Sequence, residues 1–103
     1  MDRREISSKI LELCSEDEYG SWELWWAVSP GRENDVDRDL QLAFIDVIED
    51  LTRDGKIVAK ERIDGLRSQI APFSRERLKK EINSAFHPDA NSFYWFDSGK
   101  RAA

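Results

Sequence analysis

Apolar side chains recur at helical spacing in two long stretches of the first half of the chain. The spacing predicts a helix over residues 3–16, which Asp2 and Glu5 begin as a capping box. It also predicts a long central helix over residues 35–53, which Gly55 ends. The apolar faces of these helices consist of Ile6, Ile10, Leu13 and Cys14 in the first, and of Leu40, Ala43, Phe44, Val47, Ile48 and Leu51 in the second.

The tryptophan-rich stretch between these helices, residues 19–28, fits two structures. Apolar residues alternate at Trp22, Leu24, Trp26 and Val28 as they do in a strand. The same residues fit a short helix that has Ser21 as its N-cap and ends near Pro30. We favour the short helix and keep the strand as an alternative.

The second half of the chain predicts a hairpin, a further helix and a strand. Residues 57–63 and 66–70 flank Asp64-Gly65, a dipeptide suited to a type I′ turn. Ser74 is the predicted N-cap of the next helix, whose apolar face is Leu78, Ile82, Ala85 and Phe86. Pro88 ends this helix. The aromatic run at residues 93–96 predicts an edge strand beside the hairpin.

The order helix, short helix, long helix and hairpin is that of a winged helix. We therefore predict a small α+β, winged-helix-like fold that forms a single domain over residues 1–103, because 103 residues suit one core. A single Cys and a single His exclude an internal disulfide and the usual zinc sites. No apolar run approaches the length of a membrane span, and we expect a cytoplasmic protein with no membrane partner.

Charge is distributed unevenly along the chain. The net charge is −5, but residues 1–54 hold 6 Lys/Arg against 15 Asp/Glu, and residues 55–103 hold 10 against 6. These counts give −9 for the first half and +4 for the second. Such a distribution predicts an electric field that steers a basic partner towards one side of the molecule.

Acidic residues bracket the tryptophans and recur on the outer side of the central helix. Tryptophan is the residue type most enriched at binding hot spots, so these residues form a candidate protein-binding surface. Two simpler interpretations stay open, that the tryptophans fill the core and that the acids form a solvated face. The candidate partner-binding residues are Glu16, Asp17, Glu18, Trp22, Glu23, Trp26, Asp46, Glu49 and Asp50.

Catalysis and nucleic-acid binding are less well supported. Cys14 falls on an apolar helix face, and His87 has no obvious set of metal ligands around it. We therefore predict neither an enzyme nor a cofactor. The acids on the central helix argue against docking to DNA phosphates, but basic residues around the hairpin, including Lys60 and Arg62, leave nucleic-acid binding as the alternative.

Several sequence blocks carry a resemblance to a known family. They are residues 19–28, Asp54-Gly55-Lys56-Ile57, Ala85-Phe86-His87-Pro88 and residues 93–97. In this order they resemble a family of small uncharacterised bacterial proteins, the domain of unknown function 596 group, although the ending at residues 98–103 departs from it. The resemblance implies no catalytic residues.

By type, this small acidic chain also resembles the immunity proteins of contact-dependent growth inhibition and polymorphic toxin systems. The resemblance implies a non-catalytic domain that binds and neutralises a cognate toxin, such as a basic nuclease. The carboxylates would occupy positions meant for phosphates and speed association, while one or two aromatic side chains slow dissociation.

Overall fold

The computed structural model describes residues 2–29, 38–62, 68–83 and 93–102, and these residues form an α+β structure, as predicted. The elements, in chain order, are α1 (Arg3–Glu16), β1 (Tyr19–Gly20), α2 (Ser21–Val28), α3 (Arg38–Arg53), β2 (Ile57–Arg62), β3 (Ser68–Ile70), α4 (Arg75–Asn83), β4 (Trp95–Ser98) and α5 (Gly99–Ala102). No helix in the described ranges is long and apolar enough to cross a membrane.

The predicted ends of α1 and α3 are confirmed. The Glu5 backbone N–H donates to Asp2 Oδ1 at 2.9 Å, and the Asp2 backbone N–H donates to Glu5 Oε1 at 3.2 Å, which completes the capping box. Gly55 follows α3 with φ of +74°, a left-handed conformation that glycine adopts without steric cost. The Lys56 N–H then donates to the Leu51 carbonyl at 2.9 Å and closes the helix end.

Residues 21–28 form the short helix that we favour, with one correction. Its N-cap is Gly20, and Ser21 is the first helical residue. The Ser21 hydroxyl does not cap the helix because it donates to the Glu81 carboxylate at 2.6 Å. The Gly20 N–H donates to Glu23 Oε1 at 3.0 Å instead.

In the described residues four strands form an antiparallel sheet in the order β1-β4-β2-β3. The two arms of the predicted hairpin are β2 and β3. The predicted edge position of the last strand is wrong, because β4 lies between β1 and β2 and extends to Ser98. The two-residue strand β1 lies on the side of β4 away from β2, where Tyr19 pairs with Phe96 and Gly20 with Trp95. No strand is predicted there from the sequence.

Some predicted features fall outside the described residues. They are the start of the central helix at residues 35–37, the loop at Pro30, the hairpin turn at Asp64-Gly65, and the helix end at Ala85, Phe86 and Pro88. The Ser74 N-cap is confirmed, since its hydroxyl accepts from the Arg77 N–H at 3.3 Å.

One face of the sheet and the helices enclose the main core. Ile57 and Ala59 of β2 and Phe96 of β4 alternate inward and are buried against α1 and α3. Cys14 is a core residue, as predicted, with 1% of its surface exposed. The other fully buried side chains of this core include Ile6, Ile10, Leu24, Phe44, Ile48, Leu78 and Tyr94.

A buried carboxylate joins three elements of the core. Glu81 of α4 is 5% exposed, and its Oε1 accepts from the Ser21 hydroxyl at 2.6 Å and from the Tyr94 N–H at 2.9 Å. Its Oε2 accepts from Arg77 Nε at 2.9 Å. These bonds tie α2, α4 and the start of β4 to one side chain.

Arg77 and Tyr94 complete this polar centre. The Arg77 guanidinium lies 4.0 Å from the centre of the Tyr94 ring and also pairs with Glu61 of β2. Burial lowers the pKa of Arg77, but the hydrogen bonds to Glu61 and Glu81 outweigh it, so its pKa is raised and its charge is permanent. The Tyr94 hydroxyl donates to the Pro72 carbonyl at 2.7 Å and accepts from the Ser74 N–H at 3.0 Å.

Replacing Glu81 should destabilise the fold far more than replacing an exposed acid of the same helix. Glu81→Ala leaves the Ser21 hydroxyl and the Tyr94 N–H without their acceptor, and we expect a loss of about 3 kcal/mol in the free energy of unfolding. Glu76→Ala should cost less than about 1 kcal/mol, since Glu76 is exposed in the first turn of α4. Urea unfolding followed by circular dichroism measures the free energy of unfolding of both variants. Equal losses for the two variants would contradict the role of Glu81 as a buried hydrogen-bond acceptor.

Candidate protein-binding surface

The face of the sheet that points away from the main core carries an aromatic cluster. Trp22 packs edge-on against Phe93 and against Trp95, with ring centres 5.2 Å apart in both pairs. Trp22 is 8% exposed, so its ring is used for internal packing. Two perpendicular contacts hold it in one orientation.

Gly20 is needed for this packing. A Cβ atom at residue 20 would lie 2.2 Å from Cζ3 of the Trp22 ring. The Trp22 indole therefore rests directly on the backbone of β1. It lies next to Trp95, the residue that pairs with Gly20 across the sheet. Any side chain at residue 20 would displace the ring.

Charged side chains border the aromatic cluster on the same face of the sheet. The Arg62 guanidinium lies 3.7 Å from the centre of the Trp95 ring and 3.9 Å from Glu18. Lys60 pairs with Glu18 at 3.4 Å and with Asp97 at 3.1 Å. The cations and carboxylates of this border neutralise one another.

Trp26 is the exposed member of the tryptophan group. It lies one helical turn after Trp22 on the same side of α2, and 48% of its surface is exposed. Trp25 points elsewhere and packs against Phe44 in the main core, with ring centres 5.4 Å apart. Trp26 is therefore an exposed indole on a helix whose preceding turn is fixed by packing.

We use the name tryptophan surface for this region, in which Trp26 is related to the other residues by its position on α2. The structure brings together in it four of the predicted partner-binding residues and two that were not predicted for this role. Its members are Glu18, Trp22, Glu23, Trp26, Arg62 and Trp95.

Glu16 and Asp17 lie at the C-terminal end of α1. Both are exposed, and neither forms an ion pair with another described residue. They precede Glu18 directly, so they extend the tryptophan surface at its acidic edge. No basic side chain lies in the last turn of α1 to offset them.

The predicted acids of α3 lie elsewhere and have arginine partners. Asp46 pairs with Arg3 at 2.6 Å and with Arg75 at 2.8 Å, and Glu49 pairs with Arg75 at 3.0 Å. The hydrogen bond to Asp46, with the charge of Glu49, raises the pKa of Arg75. These pairs join the beginnings of α1 and α4 to the middle of α3.

The two sets of acids do not form one surface. Asp50 completes the α3 set and pairs with Arg53 at 2.9 Å. These acids point away from the core side of α3, whereas the tryptophan surface lies on the opposite face of the sheet. The ion pairs of Glu18, Asp46 and Glu49 each join the acidic first half of the chain to the basic second half. Charge that is separated along the chain is therefore partly paired in space.

Sequence reasoning missed the roles of Arg62 and Trp95. Arg62 entered only as a candidate nucleic-acid contact, and Trp95 only as part of a strand. The alternation of Lys60 and Arg62 along one strand was the available signal for a shared face. Nothing in the sequence indicated that the two-residue strand β1 would place Glu18 beside them.

The single cysteine lies in the main core and not in the tryptophan surface. Cys14 is buried, and its Sγ lies 3.8 Å from the Phe96 carbonyl oxygen. No group of three His, Cys, Asp or Glu side chains in these ranges could hold a metal ion. His87 lies outside the described residues.

Comparisons with protein-family models, curated proteins and solved structures find no match to this chain.

Tryptophan fluorescence provides a direct test of the exposure of Trp26. We expect Trp26→Phe to remove most of the emission that iodide quenches, because the iodide ion reaches only exposed indoles. The free energy of unfolding of the Trp26→Phe variant should differ from that of the unchanged protein by less than about 0.5 kcal/mol. Trp22→Phe should instead retain the quenchable emission and destabilise the protein. If Trp22→Phe removes the quenchable emission, the assignment of these two tryptophans is wrong.

Proposed function

We propose that this chain is a non-catalytic protein-binding domain, of the immunity type that binds and neutralises a cognate toxin in the bacterial cytoplasm, and that the tryptophan surface contacts the toxin. The observation that carries the proposal is the half-exposed indole of Trp26 on a fixed helical turn. A large apolar side chain on a rigid helix can bury a wide area of an interface without any ordering of the backbone, which suits it to anchor an interface.

Charge supports a basic partner. Glu16 and Asp17 are exposed and unpaired within the described ranges, and they adjoin the tryptophan surface. Unpaired surface carboxylates raise the association rate with a basic protein, whereas paired ones contribute less. A nuclease toxin presents basic side chains to its nucleic-acid substrate, so these acids would compete with phosphates for them.

The acids of α3 fit a different role in this proposal. Asp46, Glu49 and Asp50 already have arginine partners in the chain. A toxin would have to replace those pairs at little net gain. We therefore assign them to holding α1, α3 and α4 together and place the main contacts on the tryptophan surface.

Binding to the product of the neighbouring gene tests the proposal, because an immunity gene normally adjoins the gene of its toxin. We expect Trp26→Ala to raise the Kd about 30-fold, which is equivalent to a loss of about 2 kcal/mol in binding free energy, as for an interface hot spot. Leu42→Ala is the matched control, since Leu42 is 53% exposed on α3, away from the tryptophan surface. Calorimetry on the purified pair measures both variants. No binding by the neighbouring product, or equal losses for the two variants, would overturn the proposal.

Reversing one charge tests whether the exposed acids act on the association rate of the complex and leave its dissociation rate unchanged. Glu16→Lys should lower the association rate, with an effect that fades as salt rises, and should leave the dissociation rate nearly unchanged. Glu76→Lys makes the same charge change on an exposed residue of α4 and should have a much smaller effect. An association rate that Glu16→Lys does not alter at any ionic strength would remove the steering role.

The alternative, nucleic-acid binding through the hairpin, gains no support from the pairing of its cations. Lys60 and Arg62 are engaged by Glu18 and Asp97, so phosphates would have to displace carboxylates. We expect no retardation of duplex DNA in a low-salt gel shift at about 10 µM protein, where non-specific binders are retarded. A retarded band that Lys60→Glu abolishes would favour the alternative.

A further inference from the structure

A row of residues, one from each strand, crosses the outer face of the sheet, which points away from the main core. Ile70 of β3 lies opposite Lys60 of β2, and Lys60 lies opposite Trp95 of β4. Trp95 in turn lies opposite Gly20 of β1. Residues directly opposite one another in neighbouring strands place their side chains on the same face of a sheet. The side chain of Ile70 therefore lies on the face that carries the tryptophan surface.

The neighbours of Ile70 along the chain agree with this orientation. Ala71, the next residue, donates its N–H to the Ala59 carbonyl at 2.9 Å, and both alanines are buried in the main core. Successive side chains of an extended chain point to opposite faces, so Ile70 points away from the core. Ser68, two residues before Ile70, lies opposite Arg62 on the outer face. Two of the three residues of β3 therefore line that face.

Ile70 is an exposed apolar residue that lies within reach of a second one. It is 64% exposed, more than Trp26 or Leu42, whereas a single exposed apolar residue is common on protein surfaces. Neighbouring strands are about 4.8 Å apart, so Ile70 is about 14 Å from Gly20, the residue on which the Trp22 ring rests. Trp26 lies one helical turn, about 5 Å, beyond Trp22. A stable interface covers about 800 Å² of each partner, a patch roughly 30 Å across, and therefore includes both exposed residues.

The charged residues between these two apolar positions have partners within the chain. Lys60 Nζ lies 3.1 Å from Asp97 and 3.4 Å from Glu18, and the Arg62 guanidinium lies over the Trp95 ring. Removing a paired charge from water costs less free energy than removing a lone one. The apolar stem of Lys60 also adjoins Ile70. A partner can therefore cover the middle of this face without burying a lone charge there.

We propose that Ile70 is a second apolar contact for the protein that binds the tryptophan surface, so that the binding surface crosses the sheet from α2 to β3. This inference rests on the proposed function, since the partner is the same basic toxin. Charge determines the occupant, because the exposed acids Glu16 and Asp17 adjoin this face and attract basic side chains. A second copy of the chain, with its net charge of −5, is repelled instead. The partner that fits has basic side chains at one end of the contact and an apolar surface over Ile70.

Rates of binding to the product of the neighbouring gene, measured by surface plasmon resonance, test the second contact. We expect Ile70→Ala to raise the dissociation rate about 10-fold and to leave the association rate nearly unchanged, because it removes apolar area and no charge. Gln69→Ala is the matched control. Gln69 is also an exposed residue of β3, but its side chain lies with that of Glu61 on the other face of the sheet. This control should change neither rate by more than about twofold.

Two further variants establish that the contact at residue 70 is apolar. Ile70→Val keeps the branched side chain and most of its area, so its Kd should stay within about threefold of the original value. Ile70→Glu places a charge in an apolar contact and should raise the Kd at least as much as Ile70→Ala does, although the toxin is basic. Tighter binding by Ile70→Glu would mean that a basic group faces this position, which contradicts the proposal. Circular dichroism verifies that each variant folds.

The results separate this inference from the proposed function. If the neighbouring product binds and Trp26→Ala raises the Kd, but Ile70→Ala has the same rates as Gln69→Ala, the tryptophan surface stands and the contact at β3 is excluded. If the neighbouring product does not bind, both are overturned. Sedimentation equilibrium of the chain alone detects the other occupant, because a dimer that Ile70→Ala dissociates would assign Ile70 to a contact between copies and overturn the inference.

Discussion

The buried carboxylate of Glu81 is the interaction on which the rest of the arrangement depends. It satisfies the Ser21 hydroxyl, the Tyr94 N–H and Arg77 together, although these groups lie far apart in the chain. A buried charge is tolerated only when its acceptor positions are filled, so the three partners must be placed together. Ser21 fixes the start of α2, and that position places Trp22 on Gly20 and Trp26 one turn further in solvent. The exposure of the proposed anchor therefore follows from a polar contact on the core side of the sheet.

Ion pairs have different roles on the two faces of the sheet. On the core side, Arg77 joins Glu61 to Glu81 across two elements. On the other face, Lys60 and Arg62 hold Glu18 against the aromatic cluster. Glu18 and Glu61 each meet a cation from another element, whereas Glu81 pairs with Arg77 of its own helix. The acidic excess that remains available to a partner is therefore smaller than composition indicates. Among the described residues it includes Glu16 and Asp17, which adjoin the tryptophan surface.

Local signals in the sequence predicted most of the helices, and long-range pairing decided what they missed. Asp2 with Glu5, Gly55 and Ser74 are short-range devices, and each acts where its spacing predicted. Ser21 was misassigned as a cap because its real partner, Glu81, is distant in the chain. The interior position of β4 depends on β1, and two residues carry no periodicity. The candidate site was predictable to the extent of its tryptophans and acids, but which indole would be exposed depended on contacts with Phe93 and Trp95.

The interior position of β4 also has a consequence for biosynthesis. The strands β1 and β2 are joined only through β4, which follows both of them in the chain. A ribosome that has released residues 1–83 has therefore produced all the helices of the main core, but its sheet still lacks the strand that unites its two halves. Contacts of such high sequence separation form late and fold slowly. Until β4 pairs, the chain exposes unpaired strand edges, the feature that makes incomplete folds prone to aggregation.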